Sequence, residues 1–356
     1  MIVSKVGAGL KAARTLLLAV ILGLALGSTS CQQAPQELHI YTWDEYIDPE
    51  IYKLFEKEFG VKVIEDNYGS NEELLAKLQA GATGYDIIVP SDYMVAIMIK
   101  QGLLAELDFK SIPNFKHIYE RFKDPPYDPG NKYSVPYLWG TTGIGYNKKE
   151  VDPPPTSWAD LFEPARLEKY KNRVSMLDDP REAIGAALKY LGHSFNTPDP
   201  DKLEQAKLAL LTQKPYLAKY DSEAFEDSLA AGETVIAHGW SGEIAIAKTQ
   251  NPDIEYVLPQ EGVVIWTDNL AIPKTSKNKE LAERFINFLL KPEISAMISN
   301  FTYYASPNET AQLFIKPQIL NGPSYYLPEG VNLEWIEDIG EATKLYDRIW
   351  TEIKAR

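Results

Sequence analysis

Trp266 and Asp268 stand two residues apart in V-V-I-W-T-D-N-L-A-I-P (Val263–Pro273), so an extended backbone puts an indole and a carboxylate on one face. Such a face suits an alkylammonium ion: the ring attracts the cation and covers its methylenes, and the carboxylate accepts its N–H donors. The same stretch also reads as a buried core strand whose aspartate begins a turn. The combination recurs along the chain. Trp43, Asp44, Glu45, Tyr46, Ser91, Tyr93, Asp179, Glu182, Trp240, Trp266, Asp268 and Tyr304, all at predicted strand ends, are acids, aromatics and hydroxyls, and none is basic. A cleft lined this way suits a slender polycation, with carboxylates on the ammonium groups and Trp and Tyr faces on the alkyl links. An anion site would need Arg, Lys or free amides. Singly, each ring is explained by core packing and each acid by a helix cap or solvated charge; the joint pattern is what departs from that.

Other chemistries find less support. Gly239-Trp240-Ser241-Gly242-Glu243 begins like G-x-S-x-G but ends in Glu, so the nucleophile elbow fails. His39, His117, His193 and His238 are scattered, with no H-E-x-x-H, and Ser241 lies too close to His238 along a strand-to-helix turn for a nucleophile–base pair. Asp178-Asp179 with Glu182 stays open as a metal site or a glycosidase-like acid pair, and Tyr303-Tyr304 as ferric-iron ligands.

The elements that must position these residues alternate. Leu38–Trp43 reads as a strand, Asp48–Phe59 as a helix with Asp48 as N-cap and Pro49 first, Val61–Asn67 as a strand, and Ser70–Ala80 as a helix with a Ser70–Glu73 capping box. Tyr85–Pro90 is a third, buried strand, and Ser91 caps a helix to about Gln101. This alternation predicts a parallel sheet, whose ligands sit beyond the C-terminal strand ends. Tyr133–Asn147 is extended and broken by Gly140, Gly143 and Gly145, and is expected to cross into a second domain with the glycines permitting a hinge. Further strands are expected at Arg173–Leu177, Thr234–Trp240 and Ile254–Pro259. Helices are expected at about Arg181–Leu191, Asp199–Gln213, Ser222–Ala231, Ser241–Gln250, Asn278–Leu290 and Pro292–Asn300, and Asn332–Lys354 is expected to be one long closing helix. No internal repeat is present.

The 356 residues suffice for two domains, and the formal net charge is −14. Lys5, Lys11 and Arg14 are the only charges before Cys31, so a chain starting there has 33 basic and 50 acidic side chains, a net −17. That field disfavours nucleic acid and anionic membrane and favours cationic ligands. Residues 1–30 read as a signal peptide: three basic residues, then an apolar Thr15–Gly27 too short for a comfortable membrane span, then small residues. A single cysteine excludes an internal disulfide and a thiolate metal cluster. Cys31 resembles the lipid-modified cysteine of bacterial lipoproteins, although Ser28 stands where a leucine is usual; lipidation would tether the chain to a membrane, with residues 31–37 as tether.

The mature chain resembles the spermidine/putrescine-binding periplasmic proteins of bacterial ABC importers. The resemblance rests on Y-T-W-D-E-Y (Tyr41–Tyr46), S-N-E from Ser70, Y-D-I-I-V-P-S (Tyr85–Ser91), Y-S-V-P-Y-L-W-G-T-T-G-I-G-Y-N, L-D-D-P-R-E (Leu177–Glu182), G-W-S-G, W-T-D-N-L-A-I-P and Y-Y-A-S-P-N (Tyr303–Asn308). It implies an α/β, two-lobed periplasmic-binding-protein fold (type II-like), with mixed sheets flanked by helices. Lobe 1 would comprise 37–141 plus 268–306, and lobe 2 142–267 plus 307–356, hinged at Thr141–Gly145 and Asn269–Ile272. The twelve strand-end residues match the family's ligand contacts. Glu182 and Asp268, assisted by Asp179, are expected to hold amines; Glu45, helped by Asp44 and Tyr93, the end nearest lobe 1; Trp240 and Trp266 to flank the methylenes. The expected partners are a polyamine and a membrane permease, for a monomer with no cofactor, metal or catalytic residue. Two departures stand out: Asp44 replaces a usual Thr or Ser, and Ile336 replaces a ligand-contacting glutamine. A binder of another cationic solute or of iron, and a hydrolase, are the rival readings.

Overall fold

A computed structural model describes residues 35–81, 84–325 and 327–355; the expected signal peptide, Cys31 and most of the tether lie outside these. Strand β1 (Glu37–Thr42) pairs in parallel with β2 (Lys62–Asn67) and with β3 (Ile87–Ile88). Helices α1 (Pro49–Phe59) and α2 (Asn71–Gln79) make the crossovers, and α3 (Asp92–Lys100) follows β3. Local signals hold these elements in place. Asp48 accepts from the Glu50 N–H, Pro49 opens α1, and Gly60 closes it at φ 68°. Ser70 Oγ accepts from the Glu73 N–H, while Glu73 reaches one residue past Ser70 to the Gly69 N–H at 3.0 Å, a shifted form of the capping box.

The long strand β4 (Ser134–Asn147) is buried at every position. It runs antiparallel to β9 (Val263–Ala271), from Ser134 opposite Ala271 to Thr142 opposite Val264. This pair joins two parallel sets. At one end Ile88 of β3 pairs with Ala271; at the other Thr142 pairs with Trp240 of β7 (Ile236–Trp240). Beyond β7 lie β5 (Val174–Met176) and β6 (Lys219–Tyr220), both parallel. The strand order is β2-β1-β3-β9-β4-β7-β5-β6, with β8 (Ile254–Val257) also on β4 and β10 (Leu333–Trp335) also on β9. Flanking helices are α4 (Pro180–Tyr190), α5 (Pro200–Gln213), α6 (Phe225–Ala231), α7 (Ser241–Gln250), α8 (Lys279–Leu289), α9 (Pro292–Thr302) and α10 (Thr343–Ala355). The mixed α/β architecture is the expected one. Among the described residues no helix is long and apolar enough to cross a membrane.

The tail differs from expectation. Leu333–Trp335 is a strand laid in parallel on Val263–Ile265, and the helix begins only at Thr343. Gly340, at φ 58°, takes a left-handed turn with its N–H donated to Asp338 Oδ1 at 2.8 Å, which stops a helix from running through. The segment between strand and helix thereby brings Ile336 against the sheet edge where the candidate residues converge.

Candidate functional site

The strand ends open into two adjoining cavities. The inner one, about 70 Å³, is walled by Trp43, Asp44, Tyr46, Ser91, Tyr93, Asp179, Glu182, Trp240, Trp266, Asp268 and Tyr304, eleven of the twelve candidates. Glu45 lines the outer cavity of about 700 Å³, which shares Trp43, Asp44, Tyr46, Trp240 and Tyr304 with the inner one. Glu45 thus lies in the outer cavity and Tyr93 in the inner one, where the Tyr93 hydroxyl donates to Glu72 Oε1 at 3.1 Å.

Each side chain is held by the element that carries it. Val89, at the end of β3, accepts from Trp43 Nε1 at 2.9 Å and from the Tyr68 hydroxyl at 2.6 Å, which fixes the Trp43 indole at the cavity edge. Ser91 makes no capping bond to α3; its hydroxyl is donated instead to Asp268 Oδ1 at 2.6 Å. The Asn71 carboxamide brackets Ser91, accepting its N–H and donating to its Oγ, both at 3.0 Å. Tyr46 donates to Asp268 Oδ2, and its own carbonyl accepts from Tyr137. Asp268 is 5 % exposed; burial pushes its carboxyl up to about 6, against the two hydroxyl bonds that hold it down.

Glu182, on the first turn of α4, accepts at Oε1 from Thr142 at 2.9 Å and Trp240 Nε1 at 3.1 Å, while its Oε2 has no hydrogen-bond partner. Burial, then the Asp179 charge, push Glu182 up to about 8. Asp179 proves to be a helix cap as well as a wall, since its Oδ1 accepts from the Arg181 and Glu182 N–H groups. Rings complete the chamber: Tyr304 meets Trp266 edge-on at 5.1 Å and Tyr46 at 5.9 Å. Two glycines make room for them. A Cβ on Gly140 would lie 2.6 Å from the Trp266 ring, and one on Gly242 2.5 Å from the Tyr304 ring. Gly140 is thus a slot for an indole.

One expectation is overturned. Arg181 lines the inner cavity, so the wall is not free of cations. Its terminal nitrogens donate to the Glu337 carbonyl at 3.1 Å and Asn196 Oδ1 at 3.0 Å, and its guanidinium lies 5.3 Å from the rings of both Tyr93 and Tyr346. The side chain is long enough to swing from α4 to the tail and lodge between two phenols, a reach that residue type and spacing do not reveal. It holds the Asp92, Asp179 and Glu182 carboxyls down, but burial outweighs it at each.

Asn71, Asp92, Arg181 and Glu243 are site residues that the twelve candidates omit. Asp92 is structural, accepting from the Tyr93 and Thr267 N–H groups and so tying α3 to β9. Asn71 and Arg181 fall inside the S-N-E and L-D-D-P-R-E motifs, and Glu243 closes the failed G-x-S-x-G, so a signal was present for each. The rival chemistries lose their geometry. Asp178 is paired with Lys354; Tyr303 lines a separate pocket with Gln318 and Ile319; neither ring nitrogen of His238 has a partner. No group of three or more His, Cys, Asp or Glu among the described residues is placed to hold a metal ion.

Residues 50–324 match a family model described as bacterial extracellular solute-binding protein. The spermidine/putrescine-binding periplasmic protein of Salmonella typhimurium is 38% identical over 93% of this chain and 96% of its own length. The putrescine/cadaverine-binding protein of Pseudomonas aeruginosa is 37% identical over 96% and 99%. Among solved structures, a putative spermidine/putrescine ABC transporter from Listeria monocytogenes superposes with a TM-score of 0.86 at 38% identity, covering 90% of this chain and 99% of that one.

Proposed function

This chain belongs to the bacterial extracellular solute-binding proteins, and on that premise we propose that it is the polyamine-binding component of an ABC importer. The observation that carries the reading is the Glu182 carboxyl group: 5 % exposed, lining the cavity, with one oxygen accepting from Trp240 and the other without a partner. Burial keeps this group largely protonated without ligand, and an ammonium ion supplies both the charge and the donor that its ionised form needs. Asp268, already accepting two hydroxyls, holds a second amine, with Asp179 beside them; Trp43, Trp240, Trp266 and Tyr304 cover the methylenes. Ser91 and Tyr46 orient Asp268, and Glu45 and Asp44 receive the outward end.

The clamp has lobe 1 at 37–141 plus 268–306 and lobe 2 at 142–267 plus 307–356, hinged where β4 and β9 pass between the two parallel sets, at Thr141–Gly145 and Asn269–Ile272. The continuity of both strands across the sheet supports this division. The chain acts outside the cytoplasm as a monomer tethered by a lipid on Cys31, delivers its ligand to a membrane permease, and does no chemistry on it. A thermal-shift panel on ligand-free protein tests the reading with putrescine, spermidine, spermine, amino acids and metal ions. Polyamine at about 100 times its dissociation constant is expected to add about 2.7 kcal/mol of stability. No shift with any polyamine overturns the assignment.

A further inference from the structure

Asn71 opens α2, is 4 % exposed, and spends both ends of its carboxamide on one residue. Its Oδ1 accepts the Ser91 N–H and its Nδ2 donates to Ser91 Oγ, both at 3.0 Å. A backbone N–H can only donate, so it fixes which end of the amide meets the hydroxyl. The hydroxyl has one proton, and with Nδ2 on a lone pair that proton is turned to Asp268 Oδ1 at 2.6 Å. Ser91 has another use for its oxygen: it stands at the N-cap of α3, where a serine ordinarily accepts from a helix N–H. Here Asp92 Oδ1 takes the Tyr93 N–H at 2.8 Å, and Asn71 holds the serine hydroxyl back from the helix. The backbone beneath is tied separately, since Ser91 bridges Asp268 and the Asn269 N–H is donated to the Pro90 carbonyl at 2.9 Å. Burial pushes Asp268 up, and of the two hydroxyls that hold it down Ser91 has the greater effect. The other carboxyls facing Asp268 are Asp92 on α3 and Glu243 on α7. The phenols facing it, Tyr46, Tyr68, Tyr127, Tyr137 and Tyr304, are pushed well above 10 by burial and stay neutral.

We propose that Asn71 is a positioning residue for the inner ammonium site: it holds no amine itself, but turns the Ser91 hydroxyl onto Asp268 and so readies that carboxylate to receive one. This rests on the polyamine reading above and adds a residue that acts only through another. Without Asn71 the serine hydroxyl is free to turn to the start of α3, and Asp268 loses the donor that favours its ionised form.

Titration calorimetry with putrescine and spermidine at pH 6 and pH 8.5 is the test, on the full mature chain, Asn71→Ala, Ser91→Ala and the double variant. A rise of about tenfold in the proton affinity of Asp268 makes the proton compete with the amine, so Asn71→Ala is expected to bind about fivefold weaker than the unmodified protein at pH 6 and equally at pH 8.5. Glu182, Asp92 and Glu243 titrate in every variant alike and cancel from that ratio. Added to Ser91→Ala, the Asn71→Ala change is expected to weaken binding no further. Ser91 is half-buried, so its released N–H can take water, and melting of each ligand-free variant monitors the fold. Asn71→Leu, which fills the volume of the amide, carries the result should Asn71→Ala unfold. A loss equal at both pH values, no loss at either, or additive losses from the two substitutions overturns the positioning role and leaves the polyamine reading intact. Absence of binding to any polyamine by the unmodified protein removes both.

Discussion

Glu182 and Asp268 are both buried carboxylates, yet their hydrogen bonds make them respond differently to loss of charge. Glutamine at 182 keeps a carbonyl for Thr142 and Trp240 and replaces the unpartnered Oε2 with an amide, so Glu182→Gln should fold at least as stably without ligand. It should nevertheless lose about 2–5 kcal/mol of polyamine binding, as the truncation of one side of a buried charge pair does. Asparagine at 268 has one acceptor where Ser91 and Tyr46 both donate, so Asp268→Asn should cost about 1–2 kcal/mol of stability in addition to binding. Calorimetry and ligand-free melting on the two variants separate these outcomes. Protonation follows the same residues. Without ligand, Asp268 titrates at about 6 and Glu182 at about 8, and a bound dication favours the ionised form of both. Affinity should therefore rise from pH 6 to pH 8, and binding at pH 7 should release protons. Titration in two buffers of different ionisation enthalpy reads that release; uptake, or none, contradicts the assignment of these carboxylates to the ammonium groups.

At the scale of elements, the site depends on where a backbone leaves space. Gly140 on β4 and Gly242 on α7 each face a ring that a methyl group would strike, at 2.6 Å for Trp266 and 2.5 Å for Tyr304. Gly140→Ala and Gly242→Ala should each cost about 1–3 kcal/mol by overpacking and displace the ring that covers the ligand, measured as lower melting temperatures and weaker polyamine binding together. The alternation of strands and helices, the Asp48 and Ser70 caps and the acids at strand ends were legible because they rest on local periodicity and hydrogen-bond chemistry. Arg181 was not, because its position is set by two phenols from distant elements, Tyr93 and Tyr346. The tail failed for a related reason. Leu333–Trp335 becomes a strand only because the edge of β9 is there to pair with, a tertiary choice that local pattern does not carry. Ser91 illustrates the converse: the sequence pattern of an N-cap was present, and Asp268 took its hydroxyl instead.

For the molecule as a whole, the same buried acids set how stability depends on pH. Asp92 and Glu182 titrate at about 8 and Asp268 at about 6, raised mainly by burial from ordinary values of 3.8 for the aspartates and 4.5 for the glutamate. Between those ordinary values and the folded ones, the native chain keeps protons that the unfolded chain has released. Stability from these groups is therefore fullest below about pH 4 and is lost as pH rises towards 8. Acids held low by lysines, such as Asp338 beside Lys100 and Asp221 beside Lys219, work in the opposite direction, but they are ionised in both states above pH 5 and drop out there. From pH 5 to 8.5 the ligand-free protein should thus lose stability. Each tenfold difference in proton affinity between the folded and unfolded chain is worth about 1.4 kcal/mol, and Glu72 and Glu226, each pushed up to about 7 with burial as the first cause, add to the same fall, so the melting temperature should drop across this range. Saturating polyamine neutralises the ionised Glu182 and Asp268 and should flatten that slope, leaving the part due to the other raised carboxyls, among them Asp92, which bonds to backbone N–H groups and holds α3 to β9. Melting curves with and without spermidine across this range decide it. A ligand-free melting temperature that climbs towards pH 8.5 would mean that the cavity carboxylates are already neutralised within the fold, and that no cation is needed to complete the site.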